Sequence, residues 1–204
     1  MEHRIITISR QFGSGGRTIG KVLAKQLGIP CYDQELIAMF AKESGFSEEY
    51  VKEDSEQTRG GLLASIFSDR VYDTPITQDV LWDAQKKVIL QLAEKESCII
   101  IGRAGDYVLK DHPGVVRVFV HASKDYCIEK AKEYASYIGK DYDKFIEKTD
   151  KFRGDFYRYY TGQEWTDARN YDLCLNSEKL GFEGTKEAIK EYIQRRFGKL
   201  PNEE

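Results

Sequence analysis

Ile5-Ile6-Thr7-Ile8-Ser9-Arg10-Gln11-Phe12-Gly13-Ser14-Gly15-Gly16-Arg17-Thr18-Ile19-Gly20 decides the fold class of this chain. Ile5-Ile6-Thr7-Ile8 is an apolar run that reads as a buried strand. Further on, Ile19, Val22, Leu23 and Leu27 recur at helical spacing. Between the two lies the glycine-rich loop Gly13 to Thr18. A strand, a glycine loop and a helix in that order make a phosphate cradle. Glycines let backbone N–H groups converge, and the helix N-terminus adds fractional positive charge. A glycine turn that merely caps a helix is the plainer alternative, and the strand before it and the helix after it disfavour that reading.

The Walker A pattern asks for Gly, four residues, then Gly-Lys-Ser/Thr. With Gly16-Arg17-Thr18 as its last three positions, Arg replaces the lysine and Gln11 stands where the first Gly belongs. In a second register, Gly13 to Thr18 lines up with a Gly-Ser-Gly-Lys-Gly-Thr loop, and the lysine becomes Gly16. Arg17 is then the loop's nearest cation and the first candidate for the missing charge, with Arg10 as its competitor. Arginine is permanently charged and bidentate, so it suits a phosphate.

Working outward, four more segments read as strands: Pro30-Cys31-Tyr32-Asp33, Cys98-Ile99-Ile100-Ile101, Val115 to Val120, and Tyr171 to Asn176. Helical patterns fill the intervals at roughly 34–44, 47–57, 77–95, 123–137, 141–160 and 182–197. Alternating strands and helices imply an α/β fold with a parallel sheet. Ligands of such sheets bind beyond the carboxyl ends of the strands. The glycine loop, Asp33, Arg103 and His121 all fall at such ends.

The chain has 204 residues, enough for a single domain (1–204) with a substantial core. Hydrophobic residues make up 41% and charged residues 32%, with a net charge of −3. That balance argues against nucleic acid, whose usual mark is a basic face. No stretch approaches the ~20 apolar residues of a membrane span. The N-terminal sequence carries no signal-peptide h-region. The four cysteines (Cys31, Cys98, Cys127, Cys174) form no CxxC pair. A cytoplasmic protein with a small-molecule partner is the expectation, and the oligomeric state is left open.

The chain resembles the cytidylate kinase-like family, a branch of the P-loop nucleoside monophosphate kinases. The resemblance rests on Ile8 to Arg17, on Tyr32-Asp33-Gln34-Glu35-Leu36-Ile37, on Ile100-Ile101-Gly102-Arg103, on Val118 to Ser123, and on Tyr171-Asp172-Leu173. It implies a three-layer P-loop kinase fold with a central five-stranded parallel sheet. It also implies a helical acceptor-binding insert at about 34–95 and a helical lid at about 123–170. The implied activity is transfer of a phosphoryl group from ATP to a nucleoside monophosphate, CMP or dCMP by default. Magnesium would bridge the donor phosphates, with Thr18 as a metal ligand.

By the same resemblance, Gly13, Ser14, Gly15, Gly16, Arg17 and Thr18 hold donor phosphates. Arg103 clamps the acceptor phosphate, and Asp33 lies near the acceptor. Arg17, Arg153 and Arg158 are the catalytic candidates, because phosphoryl transfer is mostly positioning and charge stabilisation. Arg153 and Arg158 are five residues apart, about 140° around a helix. The sequence departs from the family at the Walker lysine and after Asp33, where Gln34-Glu35 replaces Ser/Thr-Gly. It departs again at the start of the lid, where Lys130 and Lys132 replace an arginine pair. These departures leave two rivals open: a nucleotide-binding regulatory module without transfer, and a P-loop kinase for a non-nucleotide small molecule.

Overall fold

Five apolar runs pair into one sheet: β1 (Ile5–Arg10), β2 (Cys31–Tyr32), β3 (Cys98–Ile101), β4 (Val115–His121) and β5 (Leu173–Asn176). Their order is β2-β3-β1-β4-β5, and every neighbouring pair is parallel. The computed structural model describes residues 3–48, 51, 75–134, 141–201 and 203. Central β1 is buried along all six residues, with Ile5 opposite both Cys98 and Val115 and Ile8 opposite Ile101 and Val118. Continuous apolar sequence is what a strand covered on both faces requires.

The helices are α1 (Gly16–Leu27), α2 (Glu35–Ser44), α3 (Pro75–Lys95), α4 (Gly105–Val108), α5 (Lys124–Tyr134), α6 (Tyr142–Thr161) and α7 (Ser177–Phe197). Side chains alternate across the sheet and sort the helices into two layers. Ile6, Ile8, Ile99, Ile101, Val116 and Val118 pack against Ile19, Leu23 and Leu27 of α1 and Ile189 and Ile193 of α7. On the other face, Ile5, Cys98, Ile100 and Val115 meet Leu36 and Phe40 of α2 and Leu81, Ile89 and Leu92 of α3. Each such aliphatic side chain contributes about 1.5–3 kcal/mol when fully buried. Gly20 lets α1 lie close on the sheet, since a Cβ there would sit 2.6 Å from Ile101 Cδ1 and 3.0 Å from Ile8 Cδ1.

This sorting positions the site. The chain leaves β1 toward the α1 layer and leaves neighbouring β3 toward α4, on the opposite layer. The two connections diverge and open a crevice between the carboxyl ends of β1 and β3. Helix α6 closes over this end through Tyr157, which shares a cluster with Trp82, Ala104, Phe119, Trp165 and Tyr171.

All five expected strands are present, and β2 is shorter than Pro30–Asp33. Most of the helical pattern at 47–57 lies outside the described residues, as does the middle of the 34–95 segment. Helix α7 starts at Ser177 rather than 182, because the Asn176 side chain accepts from the Glu178 and Lys179 amides. A kink at Gly181 (φ 67, ψ 174) interrupts the apolar period there. The four-residue α4 was not foreseen, being too short for any period to register.

Candidate functional site

The glycines after β1 each answer a local demand. Gly13 and Gly15 have φ 82 and 81, in the left-handed region where a Cβ is unfavourable. A Cβ on Gly13 would also lie on the carbonyl oxygen of Cys127, and one on Gly15 would run into the Phe182 ring. Gly15 precedes α1 without a capping side chain, so the first-turn amides of α1 receive none from that position. Ser14 is fully buried and turned into the fold. Its hydroxyl lies 2.9 Å from the Gln11 carbonyl and 3.1 Å from that of Val120, and its own carbonyl accepts from Ser177 Oγ at 2.7 Å. Thr18 is exposed on the first turn of α1.

Arg17 and Asp33, expected on the donor and acceptor sides, meet each other. Arg17 Nε donates to Asp33 Oδ2 at 2.5 Å, with Lys21 Nζ 3.7 Å from the same oxygen. The Asp33 side chain is 7% exposed and that of Arg17 is 42% exposed.

A cleft opens beyond β1 and β3. Three guanidinium-bearing residues line it: Arg10 from the end of β1, Arg103 from the loop after β3, and Arg153 from α6. Phe152, Phe156 and Trp165 supply apolar walls, with Ser9 and Tyr157 between them. Among the described residues, no carboxylate lines it. Arg10 and Arg153 are 9% and 8% exposed, and cations buried this far have lost most of their hydration. Such a surface suits a multiply charged oxyanion whose paired oxygens fit the planar guanidinium fork.

Arg153 is braced on two sides. Its Nη1 donates to the Arg10 carbonyl at 2.9 Å and to Asp150 Oδ1 at 3.1 Å. The same Asp150 oxygen accepts the Phe12 amide at 2.8 Å, tying α6 to the glycine loop. Arg158 faces the other way. It is exposed and paired with Glu164 at 2.6 and 2.7 Å, which is what 140° around the helix predicts.

Beneath the cleft lies a buried polar hub that sequence reasoning missed. Asp106 is 1% exposed and accepts from Tyr157 Oη at 2.6 Å and Ser9 Oγ at 3.2 Å. Burial pushes the Asp106 carboxyl above the usual carboxylate range, against the downward pull of its hydrogen bonds. Burial also raises the Tyr157 hydroxyl, with the neighbouring Asp106 adding to the effect. The backbone above the hub is strained. Gly102, Arg103 and Ala104 are successively left-handed, with φ of 68, 61 and 50. An L-residue in that region costs about 1–2 kcal/mol, and such strain concentrates at functional sites.

Among the described residues, no group of three or more His, Cys, Asp or Glu could hold a metal ion. Within the loop the Thr18 hydroxyl is exposed, and such an oxygen suits magnesium held mainly by substrate phosphates. No helix is long and apolar enough to cross a membrane among the described residues.

The fold is that of P-loop kinases. A protein of undescribed function from Eubacterium ventriosum is 28% identical, with a TM-score of 0.72 over 94% of this chain and 99% of that one. The shikimate kinase of Acinetobacter baumannii, solved with shikimate, matches at TM-score 0.54 and 12% identity over 97% and 96% of the two chains. A gluconokinase from Sinorhizobium meliloti matches at 0.52 and 15% over 95% and 97%. No curated protein sequence matches significantly. The model of the cytidylate kinase-like family matches residues 5–179, and the chain belongs to that family.

Proposed function

We propose that this protein transfers the γ-phosphoryl group of ATP to a small phosphorylated acceptor, with cytidine monophosphate the first to test. The observation that carries the reading is the convergence of Arg10, Arg103 and Arg153 on one cleft beyond the carboxyl ends of β1 and β3. The loop from Gly13 to Thr18 would hold the donor phosphates through backbone amides and the N-terminus of α1. Arg103 would clamp the acceptor phosphate with its bidentate fork, and Arg153 would face the charge developing between the two substrates. Phe152, Phe156 and Trp165 would keep water from the transferring group, so that an acceptor is favoured over hydrolysis. Magnesium, when bound, neutralises charge on the donor phosphates, and the Thr18 hydroxyl is the residue of this chain best suited to ligate it.

One observation favours a second reading, a non-nucleotide acceptor. The Asp33 carboxylate is engaged by Arg17 and Lys21 rather than offered to a base or sugar. The solved shikimate kinase and gluconokinase share this fold and act, as named, on shikimate and gluconate, both small polyhydroxy acids. The test is coupled-assay turnover of ATP with a panel of nucleoside monophosphates and of small hydroxy acids and sugars. Transfer to CMP or another monophosphate supports the first reading, and transfer only to a hydroxy acid or sugar supports the second. ATP binding without transfer to any acceptor leaves a regulatory module.

A further inference from the structure

In one register the glycine loop departs from the Walker pattern at three positions: Arg17 stands where Ser/Thr is expected, and the other two departures mirror each other. With the last glycine of the pattern at Gly15, its first glycine falls on residue 10 and its lysine on residue 16. This chain has Arg10 where glycine is expected and Gly16 where the long basic side chain is expected. The two positions touch. A Cβ built on Gly16 would lie 2.6 Å from Arg10 Cβ and 3.2 Å from Arg10 Cγ, with Val120 Cβ at 3.3 Å. Gly16 is not among the residues with positive φ, so its backbone does not require glycine. Its smallness makes room for the stem of Arg10. One long side chain fits this place, rooted either in the strand end or in the first turn of the helix.

We infer that Arg10 and Gly16 have exchanged roles, so that the Arg10 guanidinium serves the donor phosphates as the Walker lysine would. The inference rests on the nucleotide reading given above. Three further observations support it. Arg10 lines the cleft together with Arg103 and Arg153. Its side chain enters from the last residue of β1, directly before the loop. The loop's other cation, Arg17, is directed to Asp33 and Lys21's side of α1. An arginine rooted in a strand brings a rigid, always charged fork, whereas a helix lysine brings a mobile point charge. The exchange therefore supplies the missing charge and also fixes its direction more tightly.

The experiment compares MgATP affinity by titration calorimetry in the wild type and three variants, with thermal unfolding measured for each. Arg10→Met keeps a stem over Gly16 but removes the charge, and is expected to weaken MgATP by about 30-fold or more with little change in melting. Gly16→Lys alone is expected to melt well below the wild type, because its Cβ meets Arg10. The double variant R10G/G16K moves the basic side chain back to the helix. It is expected to melt near the wild type and to recover MgATP affinity to within about tenfold. Wild-type affinity retained in Arg10→Met overturns the exchange alone, as does a folded double variant no tighter than Arg10→Met. A wild type with no affinity for MgATP overturns the donor reading and the exchange together.

Discussion

The loops that follow β1 and β3 end at the same crevice, yet they reach left-handed backbone by opposite means. After β1, the positive φ values fall on Gly13 and Gly15, where no Cβ opposes them. After β3, they fall on Arg103 and Ala104 as well as Gly102. The first loop is relaxed in its backbone and crowded around it, with Cys127 and Phe182 where side chains would go. The second is strained in its backbone and sets Arg103 on the wall of the cleft. The contrast teaches that one loop is shaped by what must be absent and the other by what must be present.

The largest effect is expected where crowding and conformation act together. Gly13→Ala adds a Cβ at φ 82 against the Cys127 carbonyl. It should lower stability by about 3 kcal/mol or more, read from urea unfolding. A loss below about 1 kcal/mol would show that the loop yields easily, and the contrast would fail there. Arg103→Gly should split stability from binding. Relief of left-handed strain should add about 1 kcal/mol of stability, while affinity for a phosphorylated acceptor falls about 30- to 1000-fold. If the variant is instead less stable, the strain is repaid by contacts of the side chain.

A smaller and pH-dependent effect belongs to Asp106. Its raised pKa means the folded state holds this proton more tightly than the unfolded chain does. The stability that Asp106 confers is therefore fully present below about pH 4 and is lost as pH climbs through the raised value. Against the non-titrating Asp106→Asn, the wild type should lose relative stability over that climb, as urea unfolding at several pH values would show. The opposite slope would mean that the hydrogen bonds from Tyr157 and Ser9 outweigh burial. The smallest effect is expected at Arg158, whose exposed pair with Glu164 is screened by solvent. Arg158→Ala should leave melting unchanged, and a fall in transfer rate would show that this arginine swings inward during turnover.

The sheet was readable from the sequence because each strand is a short apolar run bounded by Gly, Pro or a charge. The glycine loop was readable because its composition has few other uses between a strand and a helix. The position of Arg103 beyond the end of β3 was readable from its place after Ile100-Ile101-Gly102. The conformation that follows was not, since no composition marks a left-handed alanine. Asp106 escaped because an acid after Gly105 looks like a surface turn, and its partner Tyr157 is 51 residues away. Arg153 and Arg158 looked equivalent along the chain. Only the packing of α6 separates the one facing Arg10 from the one facing Glu164.

The bond from the Phe12 amide to Asp150 gives α6 a built-in reporter. An amide proton of a loop held by a carboxylate on a helix exchanges with solvent only when the two part. The exchange rate of the Phe12 proton therefore reports the fraction of time that α6 stands apart from the loop. A bound anion that prises α6 away and takes the amide for itself would alter that rate without any change in secondary structure. A single resonance thus reads the free energy of opening with no ligand added.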